Sequence, residues 1–357
     1  MRDTPEQAEL RRAVRALLDR HEGHAAWRPL TGRIGAAALA VPERQGGLGC
    51  GVEEQAVVTE ELGRALSPVP YLGSAVLAVT ALTEAGAAVP PGLTDGTHVA
   101  ALAWAEEAGW EPDTLTTRAT PGGARAGDPK ADGTGWCLSG VKEYVLVGDR
   151  VPEFVYVFAR TPDGRLGFFG ADGPGVEVVA VPALDRTRPL ARVVLDRAPA
   201  RLLHADGERV LARVRDVGAV EIAAECAGAA GRALELTVRY AKDRVQFGRP
   251  IGSFQAVKHR LADLHALVEG ARSLVWAAAR ADGTAAFPRL AAAAKSACAE
   301  AYRTVAAETV QLHGGIGITW EHPAHDHLKR AHATAVLLGS PEAHRARLAR
   351  LLGLNAA

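Results

Sequence analysis

The period of the apolar residues changes twice along this chain, and those changes limit the fold more than any other feature. From about residue 4 to 95 apolar positions recur at helical spacing. Thr4, Pro5 and Glu6 read as a capped helix start. Residues 34–41 are small and apolar until Pro42-Glu43-Arg44-Gln45-Gly46-Gly47 breaks them. Residues 53–66 form an amphipathic helix stopped by Ser67-Pro68-Val69-Pro70, and 71–85 resume it. From 97 to 200 the apolar runs are short: 99–104, 135–138, 144–147, 154–159, 166–169, 176–181 and 191–195. Gly, Pro and Asp punctuate them, which predicts a small all-β barrel or sandwich, with polar, Gly-rich 117–132 as a loop. Past Gly207 the helical period returns at 208–243, 254–280, 288–311 and 325–337, separated by short breaks. Four long helices so joined predict an antiparallel bundle. The expectation is a multidomain α+β chain: an N-terminal helical domain over 1–96, a middle β-barrel domain over 97–206 and a C-terminal four-helix bundle over 207–357.

Composition narrows the function. A chain of 357 residues exceeds one compact core. Lys+Arg and Asp+Glu both number 41, so no net charge draws the chain to nucleic acid or to an anionic membrane. Cys50, Cys137, Cys226 and Cys298 are far apart and form no CxxC pair. They point to no zinc site or disulfide framework, and a reducing cytoplasm is expected. The charged, amphipathic N-terminus has no signal-peptide core, and no apolar run reaches the roughly 20 residues of a membrane span.

Four places offer chemistry. In the first, a helix ends at Arg244, turns through Gly248 and Pro250 and restarts near Ser253. The planar fork of Arg244 matches phosphate oxygens, and Phe247 offers a ring face; a plain helix corner with a surface Arg is the alternative. In the second, Gln311, Gly314 and Gly315 stand in QLHGGIG at 311–317. Gln311 both donates and accepts, and glycines admit close backbone approach, but a glycine cap between helices explains the same pattern. The third is His322, His325, His327 and His332, whose spacing fits no metal pattern and reads as a solvated or interface face. The fourth is Glu221 and Glu225, spaced i, i+4 among small apolar residues. Burial raises a carboxylate's pKa toward that of a general base, while a buried carboxylate paired with Arg is the structural alternative. Nearby Ala223, Ala224 and Ala227 either leave room for a wide substrate or permit close helix packing.

The first two places, at this separation on a helical C-terminal segment, resemble the acyl-CoA dehydrogenase family, and the match runs nearly end to end. VPERQGGLG at 41–49 and EELGRA at 60–65 resemble its N-terminal signatures, and LSGVK at 138–142 looks like the strand entry of its middle barrel. YAKDRVQFGRPI at 240–251 with FQAVK at 254–258 is the strongest match; QLHGGIG followed by TWEHP at 319–323 is the second. The Trp-Glu-His variant is most similar to a bacterial branch used in steroid side-chain and specialised catabolism.

The resemblance implies the acyl-CoA dehydrogenase fold, usually tetrameric, with FAD lying between subunits. Arg244, Gln246 and Phe247 would hold its pyrophosphate and adenine end from one subunit, with Gln311, Gly314 and Gly315 from a neighbour. Asp216 would meet the pantetheine of CoA. The reaction would be α,β-dehydrogenation of an acyl-CoA thioester, with electrons passing to electron-transferring flavoprotein. Three departures stand against that background. The family's usual base is a Glu before Gly-Thr; here LLGSP at 337–341 stands there, and Gly339 is read as the replacement. The alternative base position, at the start of the first bundle helix, is Gly218. AEEAG at 105–109 replaces the family's Gly-Ser-Asp region, while Leu146 and Tyr144 stand where a hydroxyl faces flavin N5 and a Trp stacks. The expected function is therefore an acyl-CoA dehydrogenase, self-sufficient with Glu221 or Glu225 as base or one subunit of a heteromeric enzyme with a homologous partner. The alternative is a non-catalytic structural or CoA-ester-binding subunit.

Overall fold

The computed structural model describes residues 3–122, 135–171 and 173–354. Helix α1 (Pro5–Leu18) begins with a reciprocal cap: Thr4 Oγ1 accepts from the Gln7 backbone N–H, and Gln7 Oε1 accepts from that of Thr4. Then come α2 (Trp27–Gly32) and α3 (Val52–Arg64). A wide, π-type helical stretch, Tyr71–Ala78, leads into α4 (Val79–Glu84), and α5 (Pro91–Thr94) closes the segment. The apolar stretch at 34–41 makes only a short 3-10 turn, Ala36–Ala38.

The middle segment is a small barrel. Its strands are β1 (Ala100–Ala103), β2 (Arg118–Pro121), β3 (Trp136–Leu146), β4 (Phe154–Arg160), β5 (Leu166–Ala171), β6 (Val176–Val181) and β7 (Leu190–His204). Strands β4, β2, β3, β7 and β5 form a ring that closes by antiparallel pairing of β5 with β4. Strand β1 adds parallel to β4, and β6 antiparallel to β7. Leu138, Val145, Val157, Phe169, Val193 and Leu195 fill the interior. The runs at 135–138 and 144–147 belong to one strand, β3, bent by irregularities between Leu138 and Gly140 and between Lys142 and Val145. Likewise 191–195 is the start of the much longer β7. The expected loop at 117–132 contains β2, and its residues 123–132 lie outside those described.

The C-terminal helices are α6 (Gly207–Asp243), α7 (Gln255–Arg280), α8 (Phe287–His313) and α9 (Ala324–Val336), with a further α10 (Pro341–Leu351). Helix α10 carried a readable signal: Ser340 caps it through the Ala343 N–H and Pro341 occupies its first position. Helices α6 and α8 run parallel, since Thr237 meets Thr309 and, one turn on, Tyr240 stacks on His313. Helix α3 crosses α6 at backbone contact: a Cβ on Gly228 would lie 1.9 Å from the Glu60 carbonyl oxygen, and one on Gly63 2.3 Å from that of Glu225. One apolar core therefore runs through the N-terminal helices and the bundle together, while the barrel has its own. Ala223, Ala224 and Ala227 are buried in the shared core, so these small residues serve close packing.

Candidate cofactor and active site

The end where α6 and α8 stop together is open. Arg244 terminates α6, its N–H donating to Tyr240 and its carbonyl accepting from Ile251. A two-stranded ribbon follows, Val245–Gln246 against Arg249–Pro250. Its turn puts Phe247 at φ +54° and Gly248 at +74°. Left-handed φ is strained for a bulky residue, and here it presents a ring that is 92% exposed. Arg244 and Gln246 are exposed as well. Beside this ribbon α8 ends in Gly314 at φ +63°, with Gln311, Gly314 and Gly315 exposed. Gly315 has ordinary φ, and a Cβ there would meet nothing within 4 Å. Nothing among the described residues requires a glycine at that place.

Midway along α6 the side chains are closed in. Glu225 is paired twice: Arg188 donates to it, and Arg330 Nε donates at 2.9 Å. Arg330 Nη1 also reaches Thr187 Oγ1 at 2.9 Å and Asp185 at 3.5 Å, and Arg188 reaches Thr334 Oγ1 at 3.2 Å. All four charges are buried, so this cluster ties the loop after β6 to α6 and α9. Burial pushes Glu225 upward, but Arg188 and then Arg330 outweigh it and hold its carboxyl below the usual range. That is the structural alternative, and a carboxylate so held is a poor proton acceptor.

Glu221 differs. It is 0% exposed, and burial raises its pKa to about 8 against the pull of a Thr59 hydrogen bond. Thr59 also donates to the Gln55 carbonyl at 3.0 Å. A hydroxyl has one proton, so Thr59 shares it between the Gln55 carbonyl and Glu221 Oε2. The other oxygen, Oε1, and the buried Tyr71 hydroxyl have no partner among the described residues. Glu221 has a base's pKa with no opening to a substrate.

The missing base needs a correction. A Cβ on Gly339 would face His344 Nε2 at 3.2 Å, away from α6. The neighbouring Leu338, at φ +57°, points at the other base position: a Cβ on Gly218 would lie 2.7 Å from Leu338 Cδ1 and 2.9 Å from Leu77 Cδ2. Leu338, directly before Gly339-Ser340, is thus the side chain that this bend turns onto Gly218. The motif order alone, a Glu before Gly-Thr set against Leu338-Gly339-Ser340, gives Leu338 rather than Gly339. Lys295 fixes this bend, donating to the carbonyls of Ala335 at 3.0 Å and of Thr334 and Gly339 at 3.3 Å. Asp216, expected on the pantetheine path, is buried and ion-paired with Arg347 of α10 at 2.6 Å.

On the barrel side, Tyr144 sits at the β3 irregularity with φ +56°, and Leu146 is buried. His327 and His325 are also buried, His327 bonding Tyr302 at 3.1 Å, so the expected solvated histidine face holds only for the exposed His332 and partly for His322. Among the described residues no three His, Cys, Asp or Glu side chains converge as a metal site, and no helix is long and apolar enough to cross a membrane.

Residues 4–88 match the family model of the acyl-CoA dehydrogenase N-terminal domain and 205–353 that of the C-terminal domain. The acyl-CoA dehydrogenase IpdE2 of Mycobacterium tuberculosis is 38% identical over 355 residues, 94% of each chain. This chain belongs to the acyl-CoA dehydrogenase family. Among solved structures, the Tcur3481-Tcur3483 steroid acyl-CoA dehydrogenase is 31% identical with a TM-score of 0.85 over 98% of each chain. The ChsE4-ChsE5 complex of M. tuberculosis is 29% identical, with a TM-score of 0.85 over 100% of this chain and 99% of that one. The barrel between two helical segments is the fold of this family.

Proposed function

We propose that this acyl-CoA dehydrogenase chain works as one subunit of a heteromeric, FAD-dependent enzyme, beside a homologous subunit that supplies the catalytic base and the flavin-ring pocket. The contact of Leu338 and Leu77 on Gly218 carries the reading. Both places from which the family delivers a base are apolar here and pressed together, which leaves an acyl chain no space between them. A general base contributes about 10²–10⁴-fold to such a proton transfer, and neither Glu225, held ionised by two arginines, nor the enclosed Glu221 is placed to provide it.

The residues fit FAD at one end only. Arg244 is free to take a pyrophosphate, Phe247 presents a ring to an adenine, and the open backbone at Gly314 and Gly315 admits close approach. At the ring end Leu146 has no hydroxyl to donate. This chain's part is to grip the adenine end of a cofactor and to build the shared interface. Bound FAD supplies the hydride acceptor of α,β-dehydrogenation, from which electrons pass to electron-transferring flavoprotein. A bulky CoA ester of the steroid kind is the first substrate class to try, given the steroid enzyme among the similar structures. Four free thiols fit a reducing cytoplasm.

Purification alone and after co-expression with a homologous subunit tests this. The pair is expected to hold FAD and to bleach with acyl-CoA; the chain alone is expected to retain little flavin and not to bleach. Rapid bleaching of the isolated chain, abolished by Glu221→Gln with flavin kept, would instead establish a self-sufficient enzyme with Glu221 as base.

A further inference from the structure

We propose that Trp110 occupies the ring face of this chain's barrel, so that the place of a flavin ring in this subunit is filled from within. The inference rests on the reading above that the chain grips only the adenine end.

Trp110 stacks on Tyr144 with ring centroids 6.0 Å apart and planes 30° from parallel, and meets Trp104 edge to face at 5.1 Å. Tyr144 stands where a ring-stacking Trp is expected, and its φ of +56° turns it out of the β3 ladder. Trp110 follows directly on 105–109, the stretch that departs from the family's Gly-Ser-Asp. The loop carrying it is fastened on both sides. On the barrel side the buried Glu106 accepts from the backbone and hydroxyl of Thr116 at 2.7 and 2.6 Å, from those of Thr117 at 3.0 and 2.7 Å, and from Lys142 Nζ at 2.7 Å. Burial opposes its charge, but Lys142 and these donors bring its pKa down to about 2. A tight turn follows, with Glu106 and Gly109 exchanging backbone hydrogen bonds. On the bundle side Arg215 Nη2 donates to both oxygens of Glu111, at 2.9 and 3.0 Å.

The strap thus crosses from the barrel to α6 one residue before Asp216, and between its anchors the indole lies against Tyr144. A ring entering there must displace Trp110 and would find Leu146 in place of a donor. Trp110 leaves Tyr144 45% exposed, but it takes up the ring contact that Tyr144 would offer a flavin and so denies the chain an independent one.

Lumiflavin, which has the ring and no adenine end, is the probe, and its fluorescence quenching by the full chain is the readout. The wild type is expected to show no saturable quenching. Trp110→Ala is expected to bind about tenfold tighter or better, as one freed aromatic face allows, and Tyr144→Ala added to it to remove that gain. Trp110→Phe keeps an aromatic ring against Tyr144 and is expected to behave as wild type. Saturable quenching by the wild type that Tyr144→Ala abolishes would overturn the proposal, as would a folded Trp110→Ala with no gain. If Trp110→Ala does not fold, Glu111→Gln, which releases the strap from Arg215, must show the gain instead or the proposal fails. ADP binding is read separately: its absence counts against the adenine-end reading and leaves the lumiflavin result standing.

Discussion

The two ends of the α6 story are built on opposite terms. Where α6 and α8 stop together, Phe247 holds a strained backbone and is 92% exposed, Arg244 has no carboxylate partner among the described residues, and Gly315 faces open space. Roughly five to seven turns back along α6, Gly218, Glu221 and Glu225 are buried and meet Leu338, Thr59, Arg188 and Arg330 of the same chain. Strain and unpaired charge at the surface bring the fold no return, so they point to something outside the chain. Buried groups in contact with their own chain serve stability first. The same helix therefore ends in an open, exposed ribbon and runs through a closed core in its middle.

The largest expected effect breaks the closed region. Glu225→Ala leaves Arg188 and Arg330 buried together with only Asp185 to offset them, and removing one member of a buried charge pair costs about 3–5 kcal/mol. Urea unfolding of the variant at pH 7 measures it; a loss below about 1 kcal/mol would mean that the cluster is not a lock. Because the folded-state pKa of Glu225 is lowered, its contribution is present above the ordinary carboxyl range and is lost only as pH falls through that lowered value.

At the open end, Arg244→Ala is expected to weaken FAD or ADP binding by the subunit pair by about 1.5–3 kcal/mol, roughly ten- to a hundredfold, as for a charge-assisted phosphate contact. Unfolding stability should change by no more than about 0.5 kcal/mol, since the side chain is exposed. Equilibrium dialysis with unchanged affinity would reduce the ribbon to a helix corner. The contrast with Glu225→Ala, stability lost in one and binding in the other, is the sharpest form of the comparison.

The smallest effect probes Glu221. Its folded pKa is raised to about 8. Between the ordinary carboxyl range and that value the unfolded chain releases the proton and the folded chain keeps it, so wild-type stability falls as pH rises across the window. Glu221→Gln keeps a neutral side chain beside Thr59. It should gain on the wild type by about 1–2 kcal/mol between pH 5 and pH 8, on top of a pH-independent cost for a buried amide without a partner. Parallel curves for the two proteins from pH 5 to 8 would show that Glu221 is already ionised in the fold.

Much of this architecture is legible in the chain because its signals are local. Thr4 and Gln7 are three residues apart and close their own cap. The run at 176–181 is a strand to the residue, and 208–243 a helix within one. What escaped was long-range. Strand β3 reads as two runs because Gly140 and the turned-out Tyr144 interrupt its alternation, and only pairing with β7 shows it continuous. The strap of Trp110 leaves no periodic trace, since its anchors, Lys142 and Arg215, lie far along the chain.

Sequence alone determined the order helices, barrel, bundle, and the ribbon and glycine turn at the bundle's end, because caps, turns and periodicity act within a few residues. Only the tertiary structure decided how the carboxylates are held. Glu221 and Glu225 are one helical turn apart with similar neighbours, yet one is driven neutral by burial and the other held charged by arginines from two distant segments.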